Sequence, residues 1–226
     1  MAEKQKLDRQ SMCDRLAMEF QDGWIVNLGV GMPTLCSNYV DPDKFIITHS
    51  ENGVIGYGPI ATEGNEDRHL VNAGGQFVTA GPLMSIVHHA DSFGIIRGGM
   101  VDVTVMGAYE VSENGDFANW RIPSRKGGGI GGAMDLAACA KRVFIAMEHT
   151  QRDGTPRVLN RCRLPITAPG VVKMLVTDLG LFEITPEGFV LREHAPGWNP
   201  EEIQEQTEAK LIIPDDLREF RFRDQG

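Results

Sequence analysis

Between Arg9 and Asp22 the apolar positions Met12, Leu16, Ala17 and Phe20 recur at helical spacing, and Gly23 stops the run. WIVNLGVG follows, apolar on successive positions and ending in glycines, the pattern of a buried strand entering a tight loop. MPTLCSNYV then reads as a helix starting near Pro33, because proline's fixed φ and missing N–H suit the first helical turn. KFIITHS is the next strand. Strand, glycine loop, helix and strand in this order predict an α/β fold: a single open, largely parallel sheet flanked by helices.

Further strands are predicted at Phe77–Ala80, Val101–Met106, Val143–Met147, Val172–Thr177 and Leu181–Ile184, and helices over Ser85–Arg97 and Asp135–Lys141. Pro186-Glu187-Gly188 between apolar runs is a hairpin signal. Asn199 caps a helix that has Pro200 at its first position and acidic residues in its first turn. The charged residues after Pro214 are expected to form a loose tail. Neither a tandem repeat nor a linker divides the chain, so residues 1–226 are read as one domain.

One tetrapeptide occurs twice. Ser-Glu-Asn-Gly spans Ser50 to Gly53 in FIITHSENGVIGYGP and Ser112 to Gly115 in YEVSENGDFANW. The second copy lies between apolar and aromatic residues, and Asn-Gly there predicts a hairpin turn with Glu113 beside it. The first copy follows an apolar strand and leads into three glycines and a proline. It supports two readings. Glu51 sits at the carboxyl end of a strand, where α/β sheets bind ligands, or Asn52-Gly53 is one more turn.

Composition narrows the partners. With 42% hydrophobic and 23% charged residues, the 226-residue chain is of ordinary globular type. A formal charge of −9 disfavours nucleic acid and anionic membranes, which need a basic surface. No apolar run approaches the ~20 residues of a membrane span, and the N-terminal decapeptide is polar, so the expected compartment is the cytosol. Cys13, Cys36, Cys139 and Cys162 form no C-x-x-C pair. Adjacent His88 and His89 point about 100° apart on a helix, which does not suit one metal; no metal site is expected. Met84, Met100, Met106, Met134 and Met147 read as core filler, and Arg97 as half of a surface ion pair rather than a substrate contact. Ser50 lacks the Gly-x-Ser-x-Gly setting of an esterase nucleophile.

HSENGVIG, with NLGVGMPT before it and GGAMDL after it, resembles the β subunit of the 3-oxoacid CoA-transferases, the class I CoA-transferases. The resemblance runs from about Asp22 to His194 and includes LVNAGGQFVT, ADSFGIIRGG, VSENGDFANW and KRVFIAMEHT. It implies that Glu51 is the nucleophile, passing through a glutamyl-CoA thioester, and that the second block has no catalytic part. It implies that the amide of Gly132, beside Gly131, faces the oxyanion of the tetrahedral intermediates. Asn27, Gly29, Gly31, Asn52, Gly53 and Gly131 are implied to bind substrate or CoA, shaping the acyl and pantetheine site around the nucleophile. No cofactor is implied, coenzyme A being part of the substrate. The implied partner is an α subunit, in an αβ or α2β2 assembly. Succinyl-CoA and acetoacetate are the expected pair. The alternatives are 3-oxoadipate, which HHADSF resembles, a short-chain fatty acid, or hydrolysis of a CoA thioester. Two positions depart from the family: Thr48 replaces a larger apolar residue, and Gly75 stands where a lysine is common.

Overall fold

The computed structural model describes residues 4–220 and 222. Helix α1 (Arg9–Ala17) opens on Asp8, whose carboxylate accepts the Ser11 N–H at 2.7 Å. Its buried residues include Met12, Cys13, Leu16 and Ala17. It ends earlier than Asp22, and Lys44 Nζ bonds the carbonyl of Phe20 at 2.7 Å just beyond it. Strand β1 (Ile25–Leu28) leads to a 3-10 helix (Met32–Tyr39) with Pro33 in its first turn. The chain continues through β2 (Ile47–His49), β3 (Val54–Ile60), β4 (Val78–Ile86), α2 (His89–Arg97), β5 (Val103–Met106), β6 (Glu110–Ser112) and β7 (Phe117–Ala118). After α3 (Ala133–Cys139) come β8 (Val143–Ala146), β9 (Val158–Leu159), β10 (Val172–Val176), β11 (Gly180–Thr185), β12 (Gly188–His194), α4 (Pro200–Glu205), β13 (Leu211–Ile212) and β14 (Arg218–Glu219).

Among the described residues, eleven strands make the main sheet, in the order β13-β12-β11-β10-β8-β5-β1-β2-β3-β4, with β14 also on β12. The five central strands, β10 to β2, pair in parallel. Antiparallel pairs extend the sheet on both sides, from β2 through β3 to β4 and from β10 through β11 to β12. The expected α/β sheet is therefore present, parallel at its centre and mixed at its flanks. A small second sheet, β7-β6-β9, lies off it. Strand alternation divides the core. In β8, Phe144 and Ala146 pack with α1, while Val143 and Ile145 pack with α2 and α3 residues such as Ile96 and Leu136. No helix among the described residues is long and apolar enough to cross a membrane.

Three expectations change. Ser85 and Ile86 belong to β4, because Val54 pairs with Ile86 and Ile55 with Ser85; the helix begins only at His89. Met106 and Met147 are buried, but Met100 and Met134 are 55% and 50% exposed and fill no core. The tail is not loose as far as Phe220. Glu193 pairs in register with Arg218, Phe220 is buried, and the Arg218 guanidinium bonds Glu193 Oε1 at 2.7 and 3.0 Å. Glu193 is buried and also receives Arg15 Nε at 2.7 Å and Nη2 at 3.0 Å. Residues 221 and 223–226 lie outside the described ones. The Asn199 cap and the hairpin at Gly188 form as expected, and Glu202 completes a capping box with Asn199.

Breaking a buried charge cluster leaves an unpaired charge, which costs about 3–5 kcal/mol, whereas an exposed partner contributes about 1 kcal/mol or less. Glu193→Ala is expected to lose stability in the first range by urea denaturation. Arg218→Ala, at a side chain 58% exposed, is expected to fall in the second. Equal losses would mean that the tail strand, not the Arg15–Glu193 pair, carries the cluster.

Candidate active site

The parallel strands β2, β1, β5 and β8 end at one rim of the sheet, and the loops that follow them border a cleft of about 560 Å3. Glu51 follows β2. Asn27, Leu28 and Gly29 come from β1, Met106 to Tyr109 from β5, and Ala146 to Glu148 from β8. Gly129 to Ala133 roof it, and Arg9 and Arg157 close its far end. This is the position at which open α/β sheets bind ligands.

The two Ser-Glu-Asn-Gly blocks fold into the same turn. Ser50 N–H bonds Val54 C=O at 2.9 Å and Gly53 N–H bonds Ser50 C=O at 3.0 Å. In the second copy, Ser112 N–H bonds Asp116 C=O and Gly115 N–H bonds Ser112 C=O, both at 2.9 Å. Gly53 and Gly115 take φ of 108° and 82°, and no described residue other than glycine has positive φ. Each is thus a three-residue hairpin loop closed by a left-handed glycine, not the two-residue Asn-Gly turn expected at Asn114. What differs is the surroundings. Glu113 borders the small sheet, whereas Glu51 borders the cleft. The Glu51 carboxylate is half-buried and makes no hydrogen bond or ion pair with any described residue. Burial raises its pKa above the ordinary glutamate value; the His89 ring opposes that rise and Asp135 adds to it.

A buried polar row supports this turn from below. Thr104 Oγ1 donates to Asn27 Oδ1 at 2.9 Å, and Asn27 Nδ2 lies 3.1 Å from His49 Nδ1. Since an amide nitrogen can only donate, His49 Nδ1 is the acceptor and Nε2 carries the proton, directed at Ser92 Oγ 3.1 Å away. Ser92 Oγ in turn donates to the carbonyl of Ser50 at 3.3 Å. Burial pushes the His49 pKa down to about 4, so the ring is neutral near pH 7. Asn27, expected as a ligand contact, borders the cleft, yet its side chain is engaged in this row.

Gly132 stands directly over Glu51. It precedes α3, whose Leu136 N–H bonds the Gly132 carbonyl at 3.0 Å; the Gly132 N–H itself lies outside the helix's internal bonding. A Cβ built on Gly132 would fall against Glu51 Oε2 and come within 3.1 Å of both the Glu51 carboxyl carbon and Phe93 Cζ. The α3 start is clamped to α2 by Arg97, whose Nε bonds Asp135 Oδ1 at 2.8 Å while its guanidinium covers the Phe93 ring. Arg97 is therefore the ion-pair residue expected, and the pair joins the first turn of α3 to the end of α2.

The other predicted residues divide. Gly29 and Gly131 line the cleft; Gly31, Asn52 and Gly53 do not. Asn52 bonds the Val71 carbonyl at 2.7 Å, and a side chain at Gly53 would collide with the Val87 carbonyl, so both anchor the turn. Gly31 accepts the Thr34 hydroxyl at 2.6 Å and orders the 3-10 helix. Thr48 donates to the Tyr57 carbonyl at 2.5 Å, which explains a hydroxyl where a bulkier apolar residue is usual. His88 caps α2 through the Ala90 N–H, and His89 packs on Phe93. Gly75 has φ of 75° and closes the Asn72–Gly75 turn. Sequence reasoning passed over His49, Ser92 and Thr104. Their strand and helix positions were legible, but not that three elements bring them together. Arg9 and Arg157 were passed over as well.

The family model described as Coenzyme A transferase matches residues 9–206. The chain belongs to the coenzyme A transferase family. It is 44% identical over 205 residues to the B subunit of the succinyl-CoA:3-ketoacid coenzyme A transferase of Helicobacter pylori, covering 91% of this chain and 99% of that one. It is 42% identical over 213 residues to the B subunit of a 3-oxoadipate CoA-transferase of Pseudomonas putida, covering 92% and 97%. A crystal structure of a variant of the decarboxylase AibA/AibB shares the fold at a TM-score of 0.73 and 21% identity, covering 96% of this chain and 90% of that one. A decarboxylase on this fold shows that the sheet alone does not set the chemistry.

For a CoA-transferase this site gives three expectations. Glu51→Gln removes a charge that burial disfavours, so transfer should vanish while the thermal midpoint holds or rises. A fall of several degrees would reveal a structural partner for the carboxylate. In the unaltered enzyme the attacking group must be ionised, so rate should fall with decreasing pH through an apparent pKa above 4.5. Gly132 has φ of −74°, which alanine adopts freely. Gly132→Ala should therefore fold normally yet lose about 10²-fold in kcat, because its methyl displaces the Glu51 carboxylate by ~1 Å.

Proposed function

We propose that the chain is the β subunit of a CoA-transferase that moves CoA from an acyl-CoA, succinyl-CoA, to a 3-oxoacid, acetoacetate, with Glu51 as nucleophile. One observation carries this reading: in the cleft at the sheet's carboxyl rim, the half-buried Glu51 carboxylate is left unpaired beneath Gly132. Lone pairs that no protein donor occupies are free to attack.

A Glu51 oxygen attacks the thioester carbonyl, the C–S bond breaks, and CoA leaves as its thiolate. The product is a mixed anhydride between the acyl group and Glu51. The thiolate then attacks the Glu51 carbonyl carbon, releasing the first acid as a carboxylate and leaving CoA as a thioester on Glu51. The second acid attacks that thioester through its own carboxylate and reverses the steps, departing as its CoA ester. Each attack places negative charge on a carbonyl oxygen, and the Gly132 N–H is the proposed donor to it. The cycle needs only the two substrates, which alternate in ping-pong order.

The name of the Helicobacter relative supports succinyl-CoA and a 3-ketoacid. That of the Pseudomonas relative, with HHADSF, supports 3-oxoadipate as a second reading. Both relatives are named as B subunits, which supports an α subunit as partner. An αβ or α2β2 assembly in the cytosol is part of the proposal.

The test uses the repeated tetrapeptide. Acyl-CoA without an acceptor should leave CoA on the assembled enzyme, and borohydride should reduce the thioester to an alcohol. Peptide mass mapping should find the mark on the Ser50–Gly53 peptide and none on Ser112–Gly115. Glu51→Ala should lose mark and turnover, while Glu113→Ala keeps most activity. A mark on Glu113, with activity surviving in Glu51→Ala, would overturn the assignment.

A further inference from the structure

The cleft is longer than the nucleophile requires. Glu51 follows β2 and Glu148 follows β8, three strand places away in the order β8-β5-β1-β2. At ~4.8 Å per strand this is about 14 Å. Between them the floor is apolar, made by Leu28, Met106, Ala146 and Met147. At the β8 end, chemistry returns. Among the described residues, Arg9 and Arg157 are the only cationic side chains lining the cleft, and they face one carboxylate between them.

That carboxylate does not satisfy them. Arg9 Nη2 reaches Glu148 Oε1 at 3.3 Å, and Arg157 Nη1 comes only to 3.8 Å from Oε2, beyond hydrogen-bond range. Arg157 is the more telling residue. Its side chain is 23% exposed, and none of its guanidinium donors is hydrogen-bonded to a described residue. Its backbone is fixed on both sides, its N–H to the His149 carbonyl and its C=O from the Val111 N–H, each at 3.0 Å. Glu148 is held by its neighbour, since the buried His149 ring lies 3.0 Å from Thr177 Oγ1 and 2.8 Å from Thr207 Oγ1. A guanidinium on a fixed backbone, with its stem largely buried and its donors unspent and open to the cleft, is suited to a planar anion that can bind it in two places.

We propose that Arg157, assisted by Arg9, binds the distal carboxylate of a dicarboxylic acyl group whose other end reacts at Glu51. A four- to six-carbon diacid chain spans roughly 5–8 Å from carbonyl to carboxylate. Inward reach of the Glu51 and Arg157 side chains covers the remainder of the cleft. The methylene segment crosses the apolar floor, where a second charge along the chain would be left unpaired. The inference rests on Glu51 being the nucleophile and adds what the opposite end of the cleft selects. It makes a succinyl or 3-oxoadipyl group a better fit than an unbranched monocarboxylic acyl group of the same length.

The experiment uses the chain assembled with a family α subunit and compares succinyl-CoA with butyryl-CoA, which has the same carbon number and no distal charge. The unaltered enzyme should favour succinyl-CoA in kcat/KM. Arg157→Met should lower the succinyl-to-butyryl ratio at least tenfold, mainly through KM for succinyl-CoA, and Arg157→Lys should recover part of it. Arg9→Met, at the more exposed guanidinium, should lower the ratio several-fold. An unaltered enzyme without preference, or a ratio unchanged in Arg157→Met, overturns the proposal. Equal losses for both thioesters that disappear with the corresponding acyl-pantetheines also overturn it, and assign the arginines to the phosphates of CoA. Borohydride marking of Glu51 by butyryl-CoA reports on the nucleophile alone. A mark without succinyl preference defeats this subsite only, and no mark from either thioester defeats the nucleophile reading.

Discussion

Thr104, Asn27 and His49 stand side by side on three adjacent parallel strands, and the backbone register pairs Asn27 with both of the others. Their side chains form a hydrogen-bonded row along that register. All three are buried, so each unmade bond would cost about 1–3 kcal/mol. Valines on either side, Val26, Val103 and Val105, fill a core but define register weakly, since one aliphatic contact replaces another. A slip of one residue would turn the polar row to the opposite face. The row therefore fixes where β2, β1 and β5 end relative to one another. The loops that carry Glu51, Gly29 and Gly107 meet at one rim because of it. Through Ser92 the same row reaches the carbonyl of Ser50, the residue before Glu51.

Two copies of one tetrapeptide separate local from tertiary causes. Both make the same pair of turn bonds and use glycine in the same left-handed region. The local sequence thus dictates the turn and says nothing about its use. The difference comes from the packing beyond each loop. Gly53 is pressed against the Val87 carbonyl between β4 and α2, which sets Glu51 under Gly132. Gly115 packs against the Val172 carbonyl, which a methyl group at this position would approach to 3.0 Å, and its loop lies away from the cleft.

The central parallel strands were legible because buried parallel strands are continuously apolar, as in IVNL, VTVM and VFIA. The flanks were harder to read. β3, VIGYGPI, contains two glycines and a proline, and its glycines weaken the strand pattern. They admit β4: a side chain at Gly56 would meet the Leu83 carbonyl at 3.1 Å, and one at Gly81 would collide with the Gly56 carbonyl. β9 and β14 have two residues each, too few for any period, and are defined by their partners. Of the candidate site, Glu51 and Gly132 were legible through the family resemblance, and the structure brings them into contact. The row beneath them joins positions 22 to 77 residues apart, a distance no local pattern encodes.

Three partly or fully buried glutamates differ in how far they offset the cost of leaving water. Glu193 is held by two arginines, and its pKa is lowered despite burial by the hydrogen bonds from Arg15 and Arg218. Glu110 accepts the backbone N–H groups of Arg163 and Leu164 at 2.7 and 2.9 Å. Each repays desolvation with bonds that spend its lone pairs. Glu51 is withdrawn from water with no such return, and its pKa moves the opposite way from that of Glu193. Folding alone does not favour that arrangement. It is sustained because the turn and the polar row beneath it fix the backbone around it. The oxygens of that carboxylate are left without a protein donor, and the proposed role of Glu51 rests on this feature.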